Sequence, residues 1–155
     1  MLIDSNLEMC DATSAALTQA AGISKLGDHI DIHPLTGDNA TIDLSGGEPI
    51  YLVIEVTTAF VGSGANYKID LTSSTETALT GGTTRNIWTT GTLGVDDAYW
   101  AAGERWIVSL PQDNYLRYLG IRGTATAANV TAGNINAFIT KDVTNWTSTD
   151  TRVNV

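Results

Sequence analysis

Residues 46–60, GGEPIYLVIEVTTAF, decide the fold. Successive side chains of a strand point to opposite faces. Ile50, Leu52, Ile54 and Val56 therefore share one wholly aliphatic face, opposite Tyr51, Val53, Glu55 and Thr57. Such a strand has one face in a core and a second face that is half apolar. The same period of two recurs along the chain. NYKIDLTSS (66–74) sets Tyr67, Ile69 and Leu71 against Lys68, Asp70 and Thr72, and RWIVSL (105–110) sets Trp106, Val108 and Leu110 against Arg105, Ile107 and Ser109. NINAFIT (134–140) opposes Ile135, Ala137 and Ile139 to Asn136 and Phe138, while YLRYLGIR (115–122) carries apolar atoms on both faces. HIDIH (29–33) and ATIDL (40–44) are shorter candidates.

Between these runs lie turn signals: GDH (27–29), PLTGDN (34–39), SGG (45–47), GSGAN (62–66), GG (81–82), PQDN (111–114) and AGN (132–134). Strands every ten residues or so, separated by Gly-rich turns, predict an all-β sandwich or barrel rather than alternating strands and helices. One stretch, DATSAALTQAAG (11–22), fits a helix with Asp11 or Thr13 as cap and Gly22 as stop, and fits an extended segment equally well. Residues 1–140 read as a single domain. The tail KDVTNWTSTDTRVNV (141–155) is Thr-rich and poorly patterned, an extension or contact arm with Trp146 as its one large apolar group.

At 155 residues the chain is long enough for a core without disulfides or metal. Charged residues make up only 16% of it, with Thr, Ser, Asn and Gly in their place. Eight Lys and Arg stand against seventeen Asp and Glu, a formal charge of −9. That balance argues against nucleic acid, whose binding depends on basic residues displacing counterions, and against an anionic membrane surface. One cysteine, Cys10, leaves no internal disulfide. The opening MLIDSNLEMCD has neither a basic stretch nor an apolar run, so no secretion signal is expected. No run approaches the ~18 apolar residues of a membrane span. The expectation is a soluble protein made in a cytoplasm. Sequons at Asn39, Asn129 and Asn145 carry no weight in that setting.

Reactive groups are sparse. His29, Asp31 and His33 fall on one face of a strand and offer a ligand set for zinc or iron. Same-face neighbours lie ~6.5–7 Å apart along a strand, which strains closure on one ion. A solvated polar face opposite Ile30 and Ile32 is preferred, and no metal or cofactor is expected. Asp96 with Asp97, Glu48 near Glu55 and Asp38 near Asp43 are loose acid pairs, without the fixed separation that glycosidase chemistry needs. TGDNATID lacks the alternating acids of a calcium loop, and VGSGAN has no Lys or following helix to make a phosphate loop. Glu8 and Asp11 beside Cys10 disfavour a thiolate. No catalytic residue is assigned.

The aromatics say more. Trp106 alternates with Val108 and Leu110 and belongs to the core pattern. Trp88, Tyr99 and Trp100 lie among turn residues, and Trp146 in the tail. Those four are the candidate partner-contact residues, because exposed Trp and Tyr anchor protein interfaces. Capping the ends of the core is the competing role for the first three, and a sugar-stacking platform is another.

Several segments together resemble a known family. They are MLIDSNLEMCDA at the start, GEPIYLVIEVTTAFVGSGA (47–65), LTSSTE (71–76) and IVSLPQDNYLRYLGIRGTATAANVTAGNINAFI (107–139). In this order and spacing they are similar to the capsid cement proteins of tailed phages typified by a Bordetella phage, the Bbp16-like family. The resemblance implies a β jelly roll bound outside an icosahedral shell of HK97-like major capsid protein, as a homo-oligomer, a dimer or trimer. It implies no enzymatic activity and a place on the outer capsid surface of the virion. Residues 28–45 look like an insertion relative to shorter relatives, and residues beyond about 141 like an extension; both are candidate contact arms. Tyr51 and Val53 are expected beneath that insertion. The alternatives are a carbohydrate-binding β-sandwich of a phage tail or fibre, using Trp88, Tyr99 or Trp100, and a small β-fold hydrolase acting through carboxylates.

Overall fold

The computed structural model describes residues 7–11, 18–32, 49–111, 115–141 and 143. Among them the chain forms nine strands: β1 (Glu8–Cys10), β2 (Gly22–Asp31), β3 (Tyr51–Val61), β4 (Asn66–Ser74), β5 (Thr84–Thr89), β6 (Leu93–Gly94), β7 (Arg105–Ser109), β8 (Tyr118–Thr126) and β9 (Ala132–Thr140). They make two sheets, one of order β1-β9-β3-β7 and one of order β2-β8-β4-β5 with β6 also on β4. Every pairing is antiparallel. The fold is an all-β sandwich of two antiparallel layers. The pairing is nested: β1 with β9, β2 with β8, β3 with β7, and β4 with β5 and β6. The chain thus runs as one long folded-back ribbon, closed into two layers by the β3–β9 and β4–β8 ladders.

Of the face predicted from Ile50, Leu52, Ile54 and Val56, the last three pack inward, fully buried, against Tyr67, Ile69 and Leu71 of β4 and Leu119 and Ile121 of β8, while Ile50 is half-buried against the same core. Ile135, Ala137 and Ile139 of β9, beside β3 in the same sheet, complete its inward layer. At ~25 cal/mol per Å² of apolar surface removed from water, each such side chain contributes about 1.5–3 kcal/mol. On the opposite face of β3, Val53 pairs with Phe138, and both are buried although outside this core. Most of the proposed insertion lies outside the described residues, so the expected cover for Tyr51 and Val53 does too.

Several expectations change. Gln19 does not continue a helix: it bridges Val130, with Gln19 N–H donating to Val130 O (3.0 Å) and Val130 N–H to Gln19 O (2.9 Å). Gly22, expected as a helix stop, begins β2. Residues 12–17 of that stretch are outside the described residues, as are ATIDL, His33 and, apart from Lys141 and Val143, the tail. Of HIDIH, His29–Asp31 form the end of a longer strand, bulged between Leu26 and His29. At the bulge Gly27 has φ +61, and a Cβ there would overlap Met9 O and sit 3.0 Å from Cys10 Cα. Only glycine permits both that backbone and that approach. The contact ties β1 to β2 across the layers, with Cys10 Sγ donating to Leu26 O at 3.3 Å.

Candidate interaction surface

One side of the sandwich is closed by β1 lying against β2. The opposite side is flanked by the other two outer strands, β7 of the first sheet and β5 of the second. From β7, Trp106 and Val108 face the core, pairing with Ile54 and Leu52, yet both are only half-buried. From β5, a register shift between Leu71 and Thr72 turns both Ile87 and Trp88 toward the core, and they too are half-buried. Among the described residues no further strand covers the inward side chains of β5 and β7 laterally. Four large apolar side chains therefore line a seam between the sheets.

The candidate aromatics divide along this seam. Trp88 lies on it, half-buried. Tyr99 lies on the 3-10 turn Ala98–Trp100 between β6 and β7, half-buried, with its ring 6.5 Å from that of Trp106. The turn is capped by Asp97, whose Oδ1 accepts from Tyr99 N–H at 3.2 Å. Asp97 is thus a backbone cap. Trp100 is a correction: it is 1% exposed and belongs to the core, so it presents no face to a partner or a sugar. Its ring centroid lies 4.7 Å from Phe60, 5.7 Å from Tyr67 and 5.1 Å from Trp106. Its Nε1 is buried without a hydrogen-bond partner among the described residues. The unpaired donor costs about 1–3 kcal/mol, less than the ~4–6 kcal/mol from burying the 150–250 Å² of such a ring. Trp146 lies outside the described residues.

The outer face of the five-stranded sheet carries most of the described ion pairing. Asp70, fully buried, accepts from Lys68 Nζ at 3.1 Å and Arg122 Nη2 at 3.4 Å. Arg122 Nη2 also donates to Asn86 Oδ1 at 2.7 Å. Arg117 clamps Asp31 from Nε and Nη2 at 2.9–3.2 Å and lies over the Tyr118 ring, 4.9 Å from its centroid. The hydrogen bond and charge of Asp31 raise the Arg117 pKa. His29 sits edge-on to Tyr118 at 5.2 Å, with Lys25 Nζ 3.4 Å from its Nδ1. The two described members of the His29–Asp31–His33 set are therefore engaged in a polar network, and His33 lies outside the described residues. Among the described residues no group of three or more His, Cys, Asp or Glu is placed to hold a metal ion. Glu55 is paired with Arg105, at 3.0 Å to Nε and 2.6 Å to Nη2.

Cys10 is buried, and burial, then the charges of Asp28 and Glu8, push its thiol up to about 12. It is an unreactive core side chain, as the acidic surroundings implied. Sequence reasoning missed the seam itself. β5 carries no strand signal in the sequence, because Ile87 and Trp88 are adjacent and break a period of two. A second signal was available in RWIVS, an unbroken alternation between Gly103 and Pro111 whose residues 106–109 carry no charge.

Fold and surface define a class: a two-layer β-sandwich whose described features are packed faces, an ion-paired sheet surface and one apolar seam. The Bbp16 family model matches residues 12–139, and the chain belongs to the Bbp16 family. No curated protein matches it.

Proposed function

We propose that the chain is a non-enzymatic structural protein of a virion, a cement or decoration subunit on the outside of an icosahedral tailed-phage shell that clamps adjoining major capsid proteins. Membership of the Bbp16 family over residues 12–139 carries this reading. The nested pairing of β1–β9, β2–β8, β3–β7 and β4–β5 supports reading the sandwich as a jelly roll, a double-sheet architecture found in viral capsid domains. The net charge of −9 is of the sign that keeps a protein off packaged DNA and keeps free copies soluble. A mechanical clamp needs area rather than reactive groups. A standard interface buries ~800 Å² per partner, and an oligomer that touches several capsid subunits gains avidity from contacts each of modest strength. Homo-oligomerisation and an HK97-like capsid partner belong to this proposal.

The test is calorimetry of shells stripped of the protein, with and without the purified chain added back. A higher shell melting temperature with the chain bound is expected. Unchanged melting, or no co-sedimentation with shells, refutes the role.

A further inference from the structure

The outer face of the five-stranded sheet differs in charge from the rest of the molecule, and its register sets out the rows. Ile23 of β2, Thr124 of β8 and Lys68 of β4 lie side by side, and Lys25, Arg122 and Asp70 form the next row. Further along, Leu79 of the β4–β5 turn lies over Gly120, its Cδ1 2.6 Å from where a Cβ would stand. The turn occupies that part of the face. The first two rows stay open: Ile23 is 55% exposed, and Lys25, Lys68 and Thr124 are half-buried. Four cations, Lys25, Lys68, Arg117 and Arg122, stand on this face against two carboxylates, Asp31 and Asp70. The other described residues hold three cations and eight acids. A local excess of positive charge therefore sits on a chain of net charge −9. Its cations are held in place. Fully buried Asp70 accepts from Lys68 and Arg122, and Lys25 Nζ lies 3.4 Å from His29 Nδ1. An ammonium group has three donors, and among the described residues each of these lysines uses one.

We propose that the open part of this face docks on an acidic surface of the shell protein, with Lys25 and Lys68 taking its carboxylates on either side of Arg122 and Ile23 making the apolar contact. This inference rests on the virion role and adds the face used and the chemistry of the partner. Charge complementarity selects that partner: a carboxylate arriving here meets unused lysine donors, while over the rest of the described surface it meets mostly acids. The network already stands in the free chain, so docking orders few side chains. An exposed aliphatic residue ringed by polar and charged groups has the layout of an interface centre and its rim. Nucleic acid fits this face poorly. The lysines lie two strands apart, ~10 Å at ~4.8 Å per strand. A duplex carries one charge per ~1.7 Å and would run past the patch on to acidic surface.

The test is co-sedimentation of the full chain with shells stripped of it, at salt concentrations from about 50 to about 300 mM. Wild-type affinity should fall as salt screens the contact. Lys25→Glu sets a carboxylate beside Arg122, so it should keep the wild-type circular dichroism while weakening binding at least about tenfold at the lowest salt. Lys25→Gln combined with Lys68→Gln removes both charges without adding an acid, and should weaken binding in the same direction. Lys141→Glu, exposed after β9, makes the same change in net charge away from this face and should stay within about twofold of wild type. Shells that bind the wild type, Lys25→Glu and the double variant equally overturn the docking face and leave the virion role standing. A Lys141→Glu loss as large as that of Lys25→Glu also overturns it, by making net charge the cause. Retardation of a double-stranded DNA oligonucleotide by the wild type, lost in Lys25→Glu, assigns the face to phosphate and overturns it too. Shells that bind no wild-type chain refute the virion role and this inference together.

Discussion

Replacing Gly123 with alanine tests the packing between the layers. Gly123 has an ordinary strand backbone, so no strain attends the substitution itself. The added Cβ would overlap the Tyr67 hydroxyl, lie 2.8 Å from Tyr67 Cζ and lie 3.0 Å from Gln19 Oε1. Tyr67 is fully buried and donates to Gln19 Oε1 at 2.7 Å, while Gln19 Nε2 donates to Gly22 O at 2.8 Å and Gly123 O at 3.3 Å. This small network pins the segment before β2 onto β8. Overpacking of this kind costs about 1–3 kcal/mol, and the displaced hydrogen bond leaves a buried polar atom unmatched for roughly 1–3 more. Gly123→Ala should therefore cost ~2–6 kcal/mol, and Tyr67→Phe alone about 1–3 for the orphaned Gln19 carbonyl. In the double variant the phenylalanine removes the overlapped hydroxyl, leaving only the 2.8 Å approach to Cζ to be relieved. Its cost should fall short of the sum by at least ~1 kcal/mol, which is about 2–4 °C in Tm for a chain of this size. Urea unfolding of the four proteins, read as midpoint shifts at constant slope, measures the cycle. A Gly123→Ala cost below about 0.5 kcal/mol, or additivity within ~0.5 kcal/mol, refutes the placement of Tyr67 against Gly123.

Trp100→Ala should lose ~3–5 kcal/mol by emptying the centre of the ring cluster. Any loss of partner binding in that variant should track unfolding measured by near-UV circular dichroism. Leu79 is fully buried at φ +59, with its Cδ1 2.6 Å from where a Cβ on Gly120 would stand. Leu79→Ala should cost about 2–5 kcal/mol in urea unfolding. Cys10 should resist a thiol reagent at pH 8 in the native protein and react once the chain is unfolded. Its folded pKa, raised by burial to about 12 from 9.0, makes the native state bind the extra proton. Stability from this group is complete below pH 9 and is lost as pH rises toward 12. Tyr67, raised by burial and by Cys10, acts in the same direction at still higher pH, and unfolding midpoints at pH 8 and 10.5 should fall in that order.

The strands legible in the sequence are those with unbroken alternation. β4 runs over Asn66–Ser74 as read, β7 over Arg105–Ser109, and β3 and β9 start or end within a few residues of expectation. β2 is hidden because the Gly27 bulge shifts its phase and Leu26 is its one buried side chain. β5 was hidden for the same reason, a bulge that brings two adjacent residues to one face. Among the aromatics, the flanking sequence sets Trp88, Tyr99 and Trp100 among turn residues. It did not tell the buried ring from the half-buried ones, because that depends on which rings meet across the layers. The seam exists only once β5 and β7 become the outer strands on the same side, a property of pairing order that no local pattern encodes.

A reconstruction of phage particles carrying this chain, by electron cryomicroscopy at side-chain resolution, tests the proposed role most directly. The account predicts density for the two-layer sandwich on the outer surface of the shell, bridging neighbouring capsid subunits. Particles whose shells lack the chain, or carry it only in the tail, would contradict it.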